Sequence, residues 1–208
     1  SVTLLHTIGV IHFFTLDAIT YLLSAFFIYK MQINDVSHDT IKDRNILGIY
    51  HAIKEFVIWA RNHAPVKTLL IVTFVMVLFN TWVWQVGLLL QLKEATPNAE
   101  EWYSILLGWF GVTVIFVNIL IPVMWKRLKI THYLGASIIW GLGVFIIGFA
   151  YNLPIYFLGV LVAAIGLPIS GLSRVYLLQE YLPKDMLGRG FSFNAFLLYL
   201  SNAISLAV

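Results

Sequence analysis

Long apolar runs limit what this chain can fold into more than any other feature of it. A bilayer core about 30 Å thick needs about 20 apolar residues of helix to cross. Six segments reach that length, at about 5–29, 67–92, 103–125, 131–150, 154–178 and 190–208. Their apolar residues run all the way round the helix instead of along one stripe, which suits a helix bathed in hydrocarbon. Composition agrees: 60% of the residues are hydrophobic and 11% charged, whereas a soluble domain has about 25% charged. So few charges cannot cover a water-facing surface. The expected fold is an all-α membrane protein of about six transmembrane helices. The chain has no cysteine, which excludes disulfides and thiolate metal sites.

Turn signals separate the segments at Pro97-Asn98, Asn152-Leu153-Pro154 and Leu182-Pro183. The basic residues then orient them. Stretches 30–67, 126–129 and 174–189 hold every Lys and Arg except Lys93, which sits alone in the connection on the opposite side. This positive-inside asymmetry makes the long 31–66 connection cytoplasmic, in a plasma (inner) membrane. The net charge of +3 is scattered through short loops, so a lipid bilayer is the expected partner and nucleic acid is not. No basic stretch leads the first segment, so it is not a signal peptide. The chain opens on Ser1 and stops inside the apolar run Ala203–Val208, and a piece of a longer protein is expected.

Three regions follow: a transmembrane helix over 1–30, the cytoplasmic connection 31–66, and five transmembrane helices over 67–208. Within the connection, residues 31–45 are polar. Residues 46–62 place Ile46, Ile49, Tyr50, Ile53, Phe56, Val57 and Ala60 at helical spacing, with His51, Lys54, Glu55 and Arg61 mainly off that stripe. The pattern predicts an amphipathic helix along the inner membrane surface or beneath the bundle.

This layout resembles the major facilitator superfamily, in which a long cytoplasmic connection joins two six-helix halves. Phe14-Thr15-Leu16-Asp17-Ala18-Ile19-Thr20-Tyr21 and the following Leu22-Leu23-Ser24-Ala25 are similar to the sixth span of its drug and siderophore exporters. Ile53 to Asn62, followed by His63-Ala64-Pro65-Val66, resembles the surface helix before span seven. Leu182-Pro183-Lys184-Asp185-Met186-Leu187-Gly188-Arg189-Gly190-Phe191-Ser192 resembles the turn between spans ten and eleven. The turn from Trp125 to His132 departs from the family pattern: it is basic but has neither Asp nor Gly. The resemblance implies spans six to eleven, a missing N-terminal half of the same permease as partner, and efflux of a small organic molecule.

Asp17 is the one acid well inside a span, about 20 Å of helix from Lys30. An intramembrane carboxylate is costly and therefore a functional candidate. It is the candidate for proton coupling, or else hydrogen-bonds a neighbouring helix. Arg174 lies near the cytoplasmic end of its segment; it either snorkels to the interface or pairs with Glu180 or Asp185 in a cytoplasmic gate. Asp185 and Arg189, four apart, can brace the turn, where Gly188 permits a tight bend. Gly166, Pro168 and Gly171 mark a hinge, or close helix packing through small residues. Asn80, Trp84, Gln85, Asn118, Ser173, Tyr176 and Asn194 are the candidates for lining a substrate path, where aromatics with a few polar groups hold an amphipathic molecule. No arginine is expected at mid-depth to receive an anion.

No enzyme constellation or metal-spaced histidine pair occurs, and no cofactor is expected. An ion-coupled efflux permease working by alternating access is the expected function. An uptake permease of the same fold and a non-transporting membrane scaffold are the alternatives.

Overall fold

The computed structural model describes residues 10–31 and 46–207. The beginning of the first expected span, with His6, and the polar stretch 32–45, with His38, lie outside the described residues. The chain divides into two compact units, Ser1–Gly48 and Ile49–Val208. All regular structure among the described residues is helical.

In the first unit, helix α1 (Val10–Lys30) has 21 residues. Two of its hydroxyls bond within the helix: Thr20 Oγ1 donates to the Asp17 carbonyl at 2.7 Å and Ser24 Oγ to the Thr20 carbonyl at 2.8 Å. Hydroxyls satisfied in this way add no unmet polar group to an apolar helix. Lys30 closes the last turn, where a cation complements the helix dipole, with its ammonium 5.6 Å from the Phe26 ring.

The second unit begins with α2 (Ile46–Asn62). Phe56 and Ala60 are buried, whereas Tyr50, Ile53 and Val57 are exposed, so only one edge of the expected apolar stripe packs inward. The remaining edge is left as an apolar surface. Pro65, whose missing N–H is harmless in a first turn, helps start α3 (Ala64–Ala95). There follow α4 (Ala99–Met124), α5 (Ile130–Gly148), α6 (Leu153–Tyr181), a 3₁₀ turn at Lys184–Met186, and α7 (Leu187–Ala207). Asn152 caps α6, its Oδ1 accepting the Ile155 N–H at 3.1 Å. At the start of α5 the cap role falls to His132, whose Nδ1 accepts the Lys129 N–H at 2.9 Å.

Five of these helices, α3 to α7, are long and apolar enough to span a membrane. The chain thus has the make-up of a multi-pass membrane protein. Half of the apolar stretch of α6 is buried, against 17–22% for the other four, which makes α6 the central helix. It packs along α5 and α4, while α3 packs along α7 and, through its last turns, against α4. One buried cluster (Phe56, Leu69, Tyr133, Leu177, Leu178) sits at the end where the basic turns lie. A second (Leu88, Leu92, Leu106, Ile147, Tyr156, Val160) sits at the opposite end.

The antiparallel contact of α5 with α6 is made by small residues. A methyl group on Gly143 would collide with the backbone of Ala163, and one on Gly166 would come within 2.6 Å of the Ala136 carbonyl and the Trp140 nitrogen. Close approach here is therefore a backbone-to-backbone contact. Two features of α3 and α4 were not anticipated from the sequence. Residues Val83–Gly87 of α3 form a π-turn, and Pro122 lies within the last turn of α4.

Candidate functional site

Between these two clusters, α3, α5, α6 and α7 line a partly open cavity of about 390 Å³. Three of them present one helical stripe to it. From α3 come Thr73, Met76, Val77, Asn80 and Thr81; from α6, Leu167, Ser170, Gly171 and Arg174; from α7, Ala195, Leu198, Tyr199 and Asn202. Residues three, four and seven apart share a helix face, and each set keeps that spacing. Helix α5 adds Tyr133 and Trp140, two turns apart.

Hydrogen bonds tie the stripes together. Thr73 Oγ1 donates to the Leu69 carbonyl at 2.7 Å, which leaves Tyr133 to donate its hydroxyl to Thr73 at 2.7 Å. Toward the opposite end, Thr81 Oγ1 donates to Asn202 Oδ1 at 2.6 Å, and the Trp82 N–H donates to Ser205 Oγ at 3.0 Å. These last two bonds fix α3 against α7 beside the π-turn, a deviation frequent at functional sites. The Trp82 ring lies over Gly87, where a methyl group would meet it at 2.6 Å.

Three polar atoms on cavity-lining residues are buried without a hydrogen-bond partner: Asn80 Oδ1, Trp140 Nε1 and Arg174 Nε. Arg174 forms no hydrogen bond or ion pair with any described residue. It pairs with neither Glu180 nor Asp185 and lines the cavity. The physical reason is direction. Helix α6 runs toward the basic end, and side chains on a helix lean toward its N-terminus, so the guanidinium is carried toward the middle of the bundle.

The other candidates are distributed as follows. Asn80 and Gly171 line the cavity. Trp84 belongs to the cluster at the opposite end, its ring 4.7 Å from Phe110, and Gln85 is exposed. Asn118 is exposed on α4 and donates to the Val114 carbonyl of its own helix at 3.0 Å. Ser173 and Asn194 are buried outside the cavity lining, and Tyr176 packs against the cluster at the basic end. Pro168 is buried within an unbroken α6, and Gly166 serves the contact with α5. Asp17 is exposed on α1, in the other unit.

The turn before α7 differs from its expected bracing. Arg189 Nη1 donates to Glu55 Oε2 of α2 at 2.7 Å, while Asp185 is exposed in the 3₁₀ turn without a described ion partner. Glu55 wins because α2 brings it across the start of α7. Gly188 has open space around its missing side chain and an ordinary helical backbone, so no tight bend depends on it. Gly190 is the glycine held close, against Leu182 and Phe56.

Sequence reasoning missed Thr73, Thr81, Tyr133 and Trp140 as lining residues. A signal existed for two of them, since Thr73 and Thr81 share the stripe of Asn80 at seven residues before and one after. For Tyr133 and Trp140 only the partner helices tell which face is inward.

Architecture and cavity together define a class: a helical protein fit for several membrane crossings, with a largely apolar cavity among its helices whose described wall carries one cationic side chain. Comparison with known proteins adds no name to that class, since no family model, no curated protein and no solved structure matches the chain.

Proposed function

We propose that the chain is part of a major-facilitator-type permease that exports a small organic molecule by alternating access, coupled to an ion. The observation that carries this reading is the order of helix packing. Take α3, α4 and α5 as one three-helix repeat and α6 and α7 as the start of a second. The first helix of each repeat then packs beside the second helix of the other: α3 along α7, and α6 along α4. Exchange of the two repeats carries one pair onto the other, as in the inverted three-helix repeats nested in each half of such transporters. A scaffold with no internal symmetry has no reason to show this reciprocity.

On this reading α1 is the sixth span, the basic turns face the cytoplasm of the plasma membrane, and the missing N-terminal half supplies the facing wall. The cavity is then this chain's share of the substrate site. Pro168 lies beside two of its lining residues, Leu167 and Ser170, where a lost backbone bond lets α6 bend. Asp17 carries the coupling proton.

The test is flux. Full-length protein is reconstituted in proteoliposomes under an imposed proton gradient, with 1-naphthoate, 1-naphthamide and ethidium as anionic, neutral and cationic solutes. Gradient-driven accumulation of at least one is expected. With Asp17→Asn, downhill flux should persist while accumulation disappears. Flux only in the inward physiological direction would establish uptake instead. Absence of gradient-driven flux of every solute would sink the transport reading in favour of a scaffold.

A further inference from the structure

We infer that the cavity takes a small amphipathic organic anion, its anionic group received by Arg174 and its apolar body lying against Trp140, Leu167 and Leu198. This deepens the transport reading, on which it rests, by naming the substrate class. Charge carries the argument first. Among the described residues, Arg174 is the one charged residue in the cavity wall, and no carboxylate shares the wall with it. An ionised side chain inside a membrane bundle ordinarily pairs with an opposite charge or with backbone carbonyls. Arg174 does neither with any described residue. It lies seven residues from the end of α6, about 10 Å of helix, on the stripe that lines the cavity.

The unpartnered atoms give the rest of the ligand its shape. Arg174 and Trp140 offer donors, and Asn80 offers an acceptor. Thr73 and Tyr133 are joined at one level, and Asn80 and Trp140 each stand seven residues further along their helices, about 10 Å away. A ligand meeting both levels therefore has an anionic end, about 10 Å of largely apolar body and a hydroxyl or amine for Asn80. The volume of about 390 Å³ falls in the range of small-molecule pockets. Guanidinium suits a carboxylate or phosphate in particular, because its fork can donate two parallel hydrogen bonds.

The experiment measures binding, independently of flux, by calorimetry on the full-length protein in a non-ionic detergent. The probes are 1-naphthoate, its neutral amide 1-naphthamide, inorganic phosphate, and dihexanoyl phosphatidylglycerol. Naphthoate should bind at least about ten-fold more tightly than naphthamide, the equivalent of one charge-assisted hydrogen bond. Arg174→Gln should abolish that preference, bringing naphthoate affinity down to that of naphthamide. Arg174→Lys should retain part of it. Arg174→Gln should also melt no lower than the wild type, because it removes a charge with no described protein partner. Equal binding of naphthoate and naphthamide by the wild type would overturn the inference without reliance on any variant, as would a preference that survives Arg174→Gln. Phosphate binding as tight as naphthoate would remove the apolar body from the proposal. Tighter binding of phosphatidylglycerol would assign the cavity to a lipid headgroup and overturn it. Charge-selective binding without gradient-driven flux would support the inference while sinking the transport reading.

Discussion

Tyr133 shows how much one polar side chain can do between apolar helices. Its hydroxyl donates to Thr73 across from α5 to α3, and both residues are almost fully buried. Interhelical hydrogen bonds of this kind contribute about 0.6 kcal/mol on average, up to about 1.7. Tyr133→Phe should destabilise the protein by that amount, read from unfolding in detergent. The double-mutant cycle with Thr73→Val should return a coupling of the same size, and a coupling near zero would mean the bond adds nothing. At this scale the sequence was a partial guide. It located Asn80 and Gly171 on the right helices, but it paired Arg189 with the wrong acid. Spacing within one helix favoured Asp185, whereas Glu55, over a hundred residues away in sequence, is the acid that reaches the guanidinium. Local spacing reports neighbours along a helix and nothing about neighbours across one.

Helices as units are where the glycines divide by role. Gly141 and Gly143 lie two apart on α5, yet a methyl group at 141 meets nothing within 4 Å while one at 143 strikes the α6 backbone. Gly143→Ala should cost about 1–3 kcal/mol, the usual penalty for overpacking a filled contact. Gly141→Ala should be neutral or stabilising by up to about 1 kcal/mol, since alanine is the better helix former. Equal melting temperatures for the two variants would show that α5 and α6 separate without penalty. Five of the six expected spans have counterparts long and apolar enough to cross a membrane, because apolar length is a local property: α3 to α7 match their expected segments to within a few residues at most ends, whereas the described part of the first, α1, is not among them. Helix α2 was legible in extent, while its buried edge was not, since only contact with α7 distinguishes Phe56 from Ile53. The π-turn of α3 left one trace, a tryptophan and a glycine five residues apart at Trp82 and Gly87.

For the whole molecule, the distribution of basic residues makes the boldest claim. Because the chain has no cysteine of its own, a single cysteine placed in it reports orientation once any cysteine elsewhere in the full-length protein is replaced. Tyr151→Cys lies in the exposed turn between α5 and α6, and Arg127→Cys in the basic turn between α4 and α5. An impermeant maleimide applied to intact cells should label the first and reach the second only after permeabilisation. The opposite pattern would invert the topology and place the basic turns outside, against the positive-inside rule.

The sequence by itself determined that this is a helical, membrane-compatible chain, where its five long apolar helices run, and which turns carry the positive charge. Those are properties of composition and length along the chain, and solvent transfer energies act on them without knowledge of any partner. Only the tertiary structure decided which helix is central, which faces meet, and that Arg174 lines a cavity shared by four helices. An all-round apolar helix has no amphipathic stripe to announce its inward side. Its orientation is chosen by close packing at residues such as Gly143 and Gly166, and by cross-helix bonds such as Thr81 to Asn202, which exist only once the helices are assembled.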